Sequence, residues 1–147
     1  MKQVAVIETK PEVLILCGLP ASGKTTYAKE LVAEKPDERV RINYDELRIK
    51  LYGEDWKFNR KEEAAMKVVA NTIGFKALDD GRSIVVDNTN LTPSGRRPWV
   101  QLAEMFGIVP EIFEMDTTLE ECIERDVARI GHKRVGRAVI ERMALFN

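Results

Sequence analysis

Gly18-Leu19-Pro20-Ala21-Ser22-Gly23-Lys24-Thr25 sets two glycines, a lysine and a hydroxyl in the spacing G-x-x-x-x-G-K-T. The chemistry that this spacing supports is the grip of a polyphosphate. Glycines let consecutive backbone N–H groups turn inward around an anion, and a following helix presents its positive N-terminus to the same oxygens. Lys24 then reaches the outer phosphates and the Thr25 hydroxyl is placed to ligate Mg²⁺. Gly18, Ala21, Ser22, Gly23, Lys24, Thr25 and Thr26 form the expected nucleotide-binding set.

Three further groups of residues have chemistry to offer. Asp45, in Ile42-Asn43-Tyr44-Asp45-Glu46-Leu47-Arg48, is a candidate general base, because phosphoryl transfer needs a carboxylate to receive the proton of the attacking hydroxyl and aim its oxygen. Arg48, one turn on, shares its helix face and has the fork geometry for an acceptor phosphate. Spacing alone leaves a second reading open, in which Asp45 caps a short helix and Arg48 is a solvated charge. Asp87-Asn88-Thr89-Asn90 closes an apolar run with four side chains able to bond metal waters, phosphate or acceptor, or else to build an Asx turn. Arg125 and Arg129 are four residues apart on an expected helix, where they either fold over a triphosphate as a lid or join Glu121 in surface pairing.

These residues need a scaffold that brings them to one edge. Val13–Cys17, Val40–Ile42, Ser83–Asp87 and Val109–Met115 read as strands. Helices are expected from Gly23 to about Glu34, Asp45 to about Tyr52 and Asn59 to about Asp80. The third should bury Ala65, Val68, Val69, Ile73 and Ala77 on one face and stop at Gly81. Trp99, Leu102, Ala103 and Phe106 mark a fourth helix, with a first turn that Gly95 and Pro98 kink or detach; Arg96 and Arg97 read as its solvated start. Thr118-x-x-Glu121 opens a fifth as a capping box, with Leu119, Cys122, Ile123, Val127 and Ile130 apolar and Gly131 at its close. Val139, Ile140, Met143 and Phe146 make a sixth. Alternating strands and helices imply an α/β three-layer sandwich: a parallel sheet of about four strands with helices on both faces and the ligand at the strands' carboxyl ends. Residues 1–12 are expected as an edge strand or a loose arm, about 125–137 as a lid region, and 1–147 as a single domain.

Composition excludes several classes. The chain has 147 residues, 23 Lys and Arg against 24 Asp and Glu, and a net charge of −1. Attraction to nucleic acid must therefore come from local clustering of cations. Cys17, Cys122 and His132 are too few and wrongly spaced for a zinc site or disulfide framework, and both cysteines read as small buried hydrophobes. No apolar stretch suggests a signal peptide or a membrane span, so the expected address is the cytoplasm. No segment reads as a base-recognition element, and no protein partner is legible.

From about Val13 to Met143 the chain resembles the 5′-hydroxyl polynucleotide kinase domain of phage polynucleotide kinases, within the P-loop kinases. The likeness is carried by the phosphate loop, Ile42-Asn43-x-Asp45-x-x-Arg48, Thr89-Asn90-Leu91-x-Pro93 with Arg96-Arg97 and Trp99, Arg125-x-x-x-Arg129, and Val139-Ile140-x-Arg142-Met143. The resemblance implies an ATP- and Mg²⁺-dependent kinase acting on 5′-hydroxyl ends of DNA or RNA. Lys24, Asp45 and Arg129 would be its catalytic residues, with Arg125 on the nucleotide and Arg48, Asp87, Asn88, Thr89 and Asn90 on the substrate side. In the phage pattern the acid directly precedes the threonine. Here Asn88 intervenes, and Asp87 is the preferred equivalent. The phage enzymes also carry a C-terminal phosphatase domain, for which a chain ending at Asn147 leaves no room, so phosphatase activity is not expected. The competing readings are a small-molecule P-loop kinase acting on a sugar, nucleoside or antibiotic hydroxyl, and a non-catalytic ATP-binding module.

Overall fold

The computed structural model describes residues 10–146; the arm or edge strand expected within residues 1–12 lies almost wholly outside them. The elements follow in the order β1 (Val13–Cys17), α1 (Lys24–Glu34), β2 (Arg39–Ile42), α2 (Tyr44–Tyr52), α3 (Arg60–Asp79), β3 (Ser83–Asp87), α4 (Pro93–Met105), β4 (Glu111–Glu114), α5 (Leu119–Val127) and α6 (Arg137–Ala144), with a short 3₁₀ turn at Gly131–Lys133. All strand pairs are parallel and the sheet order is β2-β3-β1-β4. The two most apolar runs, β1 and β3, are the central strands, as expected of strands covered on both faces.

Two packed layers flank this sheet. On one face Val13, Ile15, Cys17, Ile42, Ile84 and Val86 meet Ala70, Ala77 and Leu78 of α3 and Trp99, Leu102 and Ala103 of α4. On the other, Leu16 and Val85 meet Ala28 with Tyr27, Leu31 and Val32 of α1. Each fully buried aliphatic side chain there contributes about 1.5–3 kcal/mol of transfer free energy. A third cluster joins α5 and α6 through Cys122, Ile123 and Ile140 to Leu19 of the phosphate loop, so that the last two helices rest on the candidate site. Both cysteines are buried. No helix among the described residues is long and apolar enough to cross a membrane.

Several element boundaries depart from expectation, each for a physical reason. The buried stripe of α3 is Met66, Ala70, Gly74, Ala77 and Leu78, while Ala65 is exposed and Val68 is 66% exposed. Close approach decided this: a Cβ at Gly74 would lie 2.9 Å from Leu102 Cδ2 and 3.1 Å from Trp99 Cζ3, so the small-residue face wins over the β-branched one. The fourth helix is one unbroken segment from Pro93, capped by Thr92 accepting from the Gly95 N–H, with Pro98 inside it. β4 pairs only over Glu111–Glu114, and Val109, before Pro110, is 91% exposed. The fifth helix ends at Val127, leaving Ile130 87% exposed.

Candidate active site

The phosphate loop is shaped by backbone before any side chain acts. Ala21 and Gly23 both take positive φ, 64° and 97°, on either side of Ser22, the alternation that turns successive N–H groups toward a common centre. Gly18 has no room for a side chain, since a Cβ there would meet Ser22 Oγ at 2.7 Å. Two contacts buttress the loop: the Gly18 N–H donates to Thr89 O (3.0 Å), and Thr117 Oγ1 donates to Ser22 O (2.6 Å). Helices α2 to α5 each have a side chain accepting from their first-turn N–H groups, namely Asn43, Asn59, Thr92 and Thr118. Helix α1 has none. Its N-terminal donors therefore remain available to an anion.

Lys24 is folded into this loop, with Nζ donating to Gly18 O and Leu19 O (both 2.7 Å) and to Ser22 Oγ (3.3 Å). Burial pulls its pKa down to about 8, against the attraction of Asp87. Thr25 Oγ1 donates to Asp87 Oδ2 at 2.9 Å. A hydroxyl beside a carboxylate suits a hard cation that keeps several waters and takes the rest of its ligands from substrate phosphates. Among the described residues no cluster of three or more His, Cys, Asp or Glu forms a dedicated metal cage.

Asp87 is 1% exposed and organises the sheet edge. Its Oδ2 also accepts from Arg41 Nε (2.8 Å) and Nη2 (2.7 Å), while Arg41 Nη1 reaches Glu46 (2.7 Å). Although burial opposes the charge on Arg41, its bonds to Glu46 and Asp87 raise its pKa above the ordinary value. Arg41 was missed in the sequence; its signal is a cation inside a short strand that otherwise alternates toward the core. Asn88 is turned elsewhere, its Oδ1 accepting from the Tyr44 N–H (2.9 Å). Thus Asp87, and not Asn88, is the strand-end residue that meets Thr25. Thr89 contributes its carbonyl to the loop. Asn90 is 5% exposed with φ of 47° and donates to Leu16 O (2.8 Å), and its own carbonyl accepts from Arg96 Nη1 (2.7 Å). Its amide is spent on holding β3's exit to β1.

The start of α2 is fastened to the same point. Asn43 caps the helix through Oδ1, accepting from the Glu46 N–H (2.8 Å), and with its amide donates to Asp87 O (2.7 Å). The cap is thus Asn43, which leaves Asp45 free of that duty. Asp45 instead accepts from Arg48 Nη1 (2.6 Å) with its side chain 85% exposed. Arg48 is forked from behind by Glu63 of α3, through Nε (2.9 Å) and Nη2 (2.7 Å). Bonding to Glu63 raises the pKa of Arg48 and lowers that of Glu63. Three of the five guanidinium N–H groups are engaged, leaving two for another anion.

Over the loop, Arg125 Nη1 lies 3.5 Å from Ala21 O and 3.6 Å from where a Gly23 Cβ would stand. Arg129 lies beyond the end of α5, donating to Lys133 O (3.1 Å). The two arginines therefore do not share one helical face as the four-residue spacing suggests. Segment 128–136 is an outlying loop pinched at its base by Asp126, which is 2% exposed and accepts from the Val135 and Gly136 N–H groups (both 2.8 Å). Burial pushes the Asp126 carboxyl up, but those two donors, with Arg129 and Arg134 nearby, hold it below the usual carboxylate range. Its role depends on contacts nine and ten residues ahead, which no local pattern announces.

The family model described as "AAA domain" matches residues 13–145. The chain is 30% identical over 121 residues to the bifunctional polynucleotide phosphatase/kinase of Schizosaccharomyces pombe, covering 82% of this chain and 25% of that protein. It is also 30% identical over 136 residues to a putative bifunctional polynucleotide kinase/RNA ligase of Autographa californica nuclear polyhedrosis virus, covering 84% and 19%. The chain thus spans a quarter or less of the length of these relatives. In fold it is similar to a chain of the Pnkp1/Rnl/Hen1 RNA repair complex, with a TM-score of 0.81 at 24% identity over 93% of this chain and 44% of the other.

Proposed function

The chain belongs to the AAA domain family, whose model spans nearly all of it, and on that footing we propose that it is a polynucleotide 5′-hydroxyl kinase. It transfers the γ-phosphoryl group of ATP to the 5′-hydroxyl end of DNA or RNA. The observation that carries the proposal is the fastening of α2 to the phosphate site: Asn43 binds the Asp87 carbonyl, and the Asp87 carboxylate binds Thr25. That fastening supports a reading in which Asp45, two residues beyond Asn43 and with its side chain exposed, serves an incoming chain end at the phosphate site.

The loop N–H groups and Lys24 hold the β- and γ-phosphates, with Arg125 above them. Thr25 would hold Mg²⁺ with Asp87 beside it. The cation, when bound, neutralises charge that builds on the transferring group. Asp45 accepts the proton of the 5′-hydroxyl as its oxygen attacks phosphorus in line, and ADP departs on the opposite side. The two N–H groups that Glu63 and Asp45 leave on Arg48 bind the phosphate on the 3′ side of the terminal nucleoside. Arg129, carried on the loop that Asp126 pins, stabilises the transferring phosphoryl group.

The test is to incubate the protein with γ-labelled ATP, Mg²⁺ and a 5′-hydroxyl oligonucleotide beside a panel of nucleosides and sugars. Label on the oligonucleotide is the expected result. Label on a sugar or free nucleoside alone would assign the site to a small-molecule kinase, and bound but untransferred ATP would make it a nucleotide-binding module.

A further inference from the structure

Tyr44, Arg48 and Tyr52 recur every fourth residue along α2 and so form one column, with the Arg48 guanidinium 5.8 Å from the Tyr44 ring centre. The column continues beyond the helix. The Tyr52 ring stacks on Trp56 with centres 5.8 Å apart at 23°, and Trp56 meets Phe58 edge to face at 6.2 Å and 65°. Glu62 fixes both polar handles: its carbonyl accepts from the Tyr52 hydroxyl (2.8 Å) and its carboxylate from Trp56 Nε1 (2.6 Å). The rings are thus held before any ligand arrives. The last of them, Phe58, is 74% exposed and belongs to none of the buried clusters.

Charge accompanies the rings. Lys57, Arg60 and Lys61 are exposed, and among the described residues none of them joins an ion pair. Glu62 and Glu63, the acids that follow, are engaged by Trp56 and Arg48; Glu54 and Asp55 lie in the turn before the ladder. An exposed aromatic face beside unpaired cations is what single-stranded nucleic acid requires, a ring for a base and positive charge for its phosphates. Asp45 to Tyr52 is about 10 Å of helix rise. That is the length of about three nucleotides at 3.4 Å each.

Resting on the kinase reading above, we propose that Trp56 and Phe58, with Lys57, Arg60 and Lys61, form a platform for the acceptor strand. The strand's end lies at Asp45, its path follows the α2 column, and a base beyond the third nucleotide stacks on Phe58 while its phosphates face the three cations. Recognition of this kind is indifferent to sequence, because every base has a stacking face.

The test compares a 5′-hydroxyl dinucleotide with a dodecanucleotide as acceptors. The KM of the wild-type protein should be lower for the longer strand. Phe58→Ala should raise the dodecanucleotide KM about tenfold, the scale of one stacked base, leaving the KM for ATP and for the dinucleotide unchanged. Combined Lys57→Ala, Arg60→Ala and Lys61→Ala should do the same and flatten the salt dependence of the longer strand. Equal KM values for both acceptors, or an equal effect of Phe58→Ala on both, would overturn the platform while leaving the kinase intact. Should no oligonucleotide be phosphorylated, the kinase reading fails and the platform is judged by binding alone. Trp99 is 1% exposed, so quenching of the fluorescence by a dodecanucleotide without ATP reports Trp56, with Trp56→Phe as the control. Quenching that Phe58→Ala weakens about tenfold in apparent Kd sustains the platform, and no quenching overturns it.

Discussion

Thr25 and Asp87, 62 residues apart in the chain, share a hydrogen bond of 2.9 Å across the carboxyl ends of β1 and β3. The bond exists because the two strands are parallel neighbours, with Leu16 opposite Asp87 in register. Parallel pairing puts both strand ends at one edge, so the hydroxyl that follows the phosphate loop meets the acid that ends β3. Arg41, from the next strand, closes the arrangement from the side.

Arg41 is 12% exposed and Asp87 1%, so the ion pair is largely desolvated. Removing the cation leaves a buried carboxylate with only Thr25 and Asn43 as donors. Arg41→Met should therefore destabilise the fold by about 3–5 kcal/mol, read as a lower denaturant midpoint at constant m-value. A loss below about 0.5 kcal/mol would place the pair among solvent-screened ones.

Asp45 does not cap its helix, and its ion pair with Arg48 is exposed on the Asp45 side, which separates chemistry from stability at this position. Asp45→Ala should reduce kcat by at least about a hundredfold, the scale of general-base removal, with ATP affinity and melting temperature nearly unchanged. Equal losses of ATP binding and turnover would assign Asp45 to the scaffold.

Lys24 titrates at about 8 in the free protein, and a bound triphosphate favours its charged form. Nucleotide affinity should accordingly fall as pH rises through that value, by up to about tenfold per pH unit. Titration calorimetry in buffers of differing ionisation heat should also show proton uptake on binding in that window. The unliganded fold should behave oppositely. Between about 8 and the ordinary 10.5 the unfolded chain holds the proton more tightly, so this group's contribution to stability rises with pH.

Asp126 holds the Val135 and Gly136 N–H groups through both carboxylate oxygens. Asp126→Asn removes one acceptor and the charge, at a cost of about 1–3 kcal/mol. Hydrogen exchange at those two amides should accelerate while the amides of β1 and β3 stay protected. Because its carboxyl is held below the ordinary range, the stabilisation is complete above the unfolded value, about 3.9, and disappears as pH falls through the lower folded one. Unchanged exchange would mean that the loop is held by other contacts.

Gly74→Ala sets two effects against each other. Alanine is favoured in a helix by about 1 kcal/mol. Its Cβ would stand 2.9 Å from Leu102 Cδ2, which can yield, and 3.1 Å from Trp99 Cζ3, which is locked in the core. Overpacking of about 1–3 kcal/mol should win, lowering the melting temperature. A rise in melting temperature would show that α3 can move outward without penalty.

What the sequence determined by itself is the set of features written within a few residues of one another. Central strands read as continuous apolar runs, and Thr118 and Glu121 formed the capping box that their spacing announced. The G-x-x-x-x-G-K-T loop followed its strand and opened its helix as expected. All of these rest on periodicity or on relations between residues only a few positions apart. Tertiary structure alone decided what depends on register and on close approach. It selected Asp87 over Asn88 to meet Thr25, gave Asp87 its partner in Arg41, and set Glu63 behind Arg48. It rotated α3 so that Gly74 and Ala70, not Val68, face the sheet, because steric approach to Trp99 and Leu102 outweighs side-chain hydrophobicity. It also ended α5 before Arg129, where the Asp126 carboxylate draws the chain back on itself. Local sequence carries no record of such pairings, since the partners stand from nine to 62 residues apart in the chain.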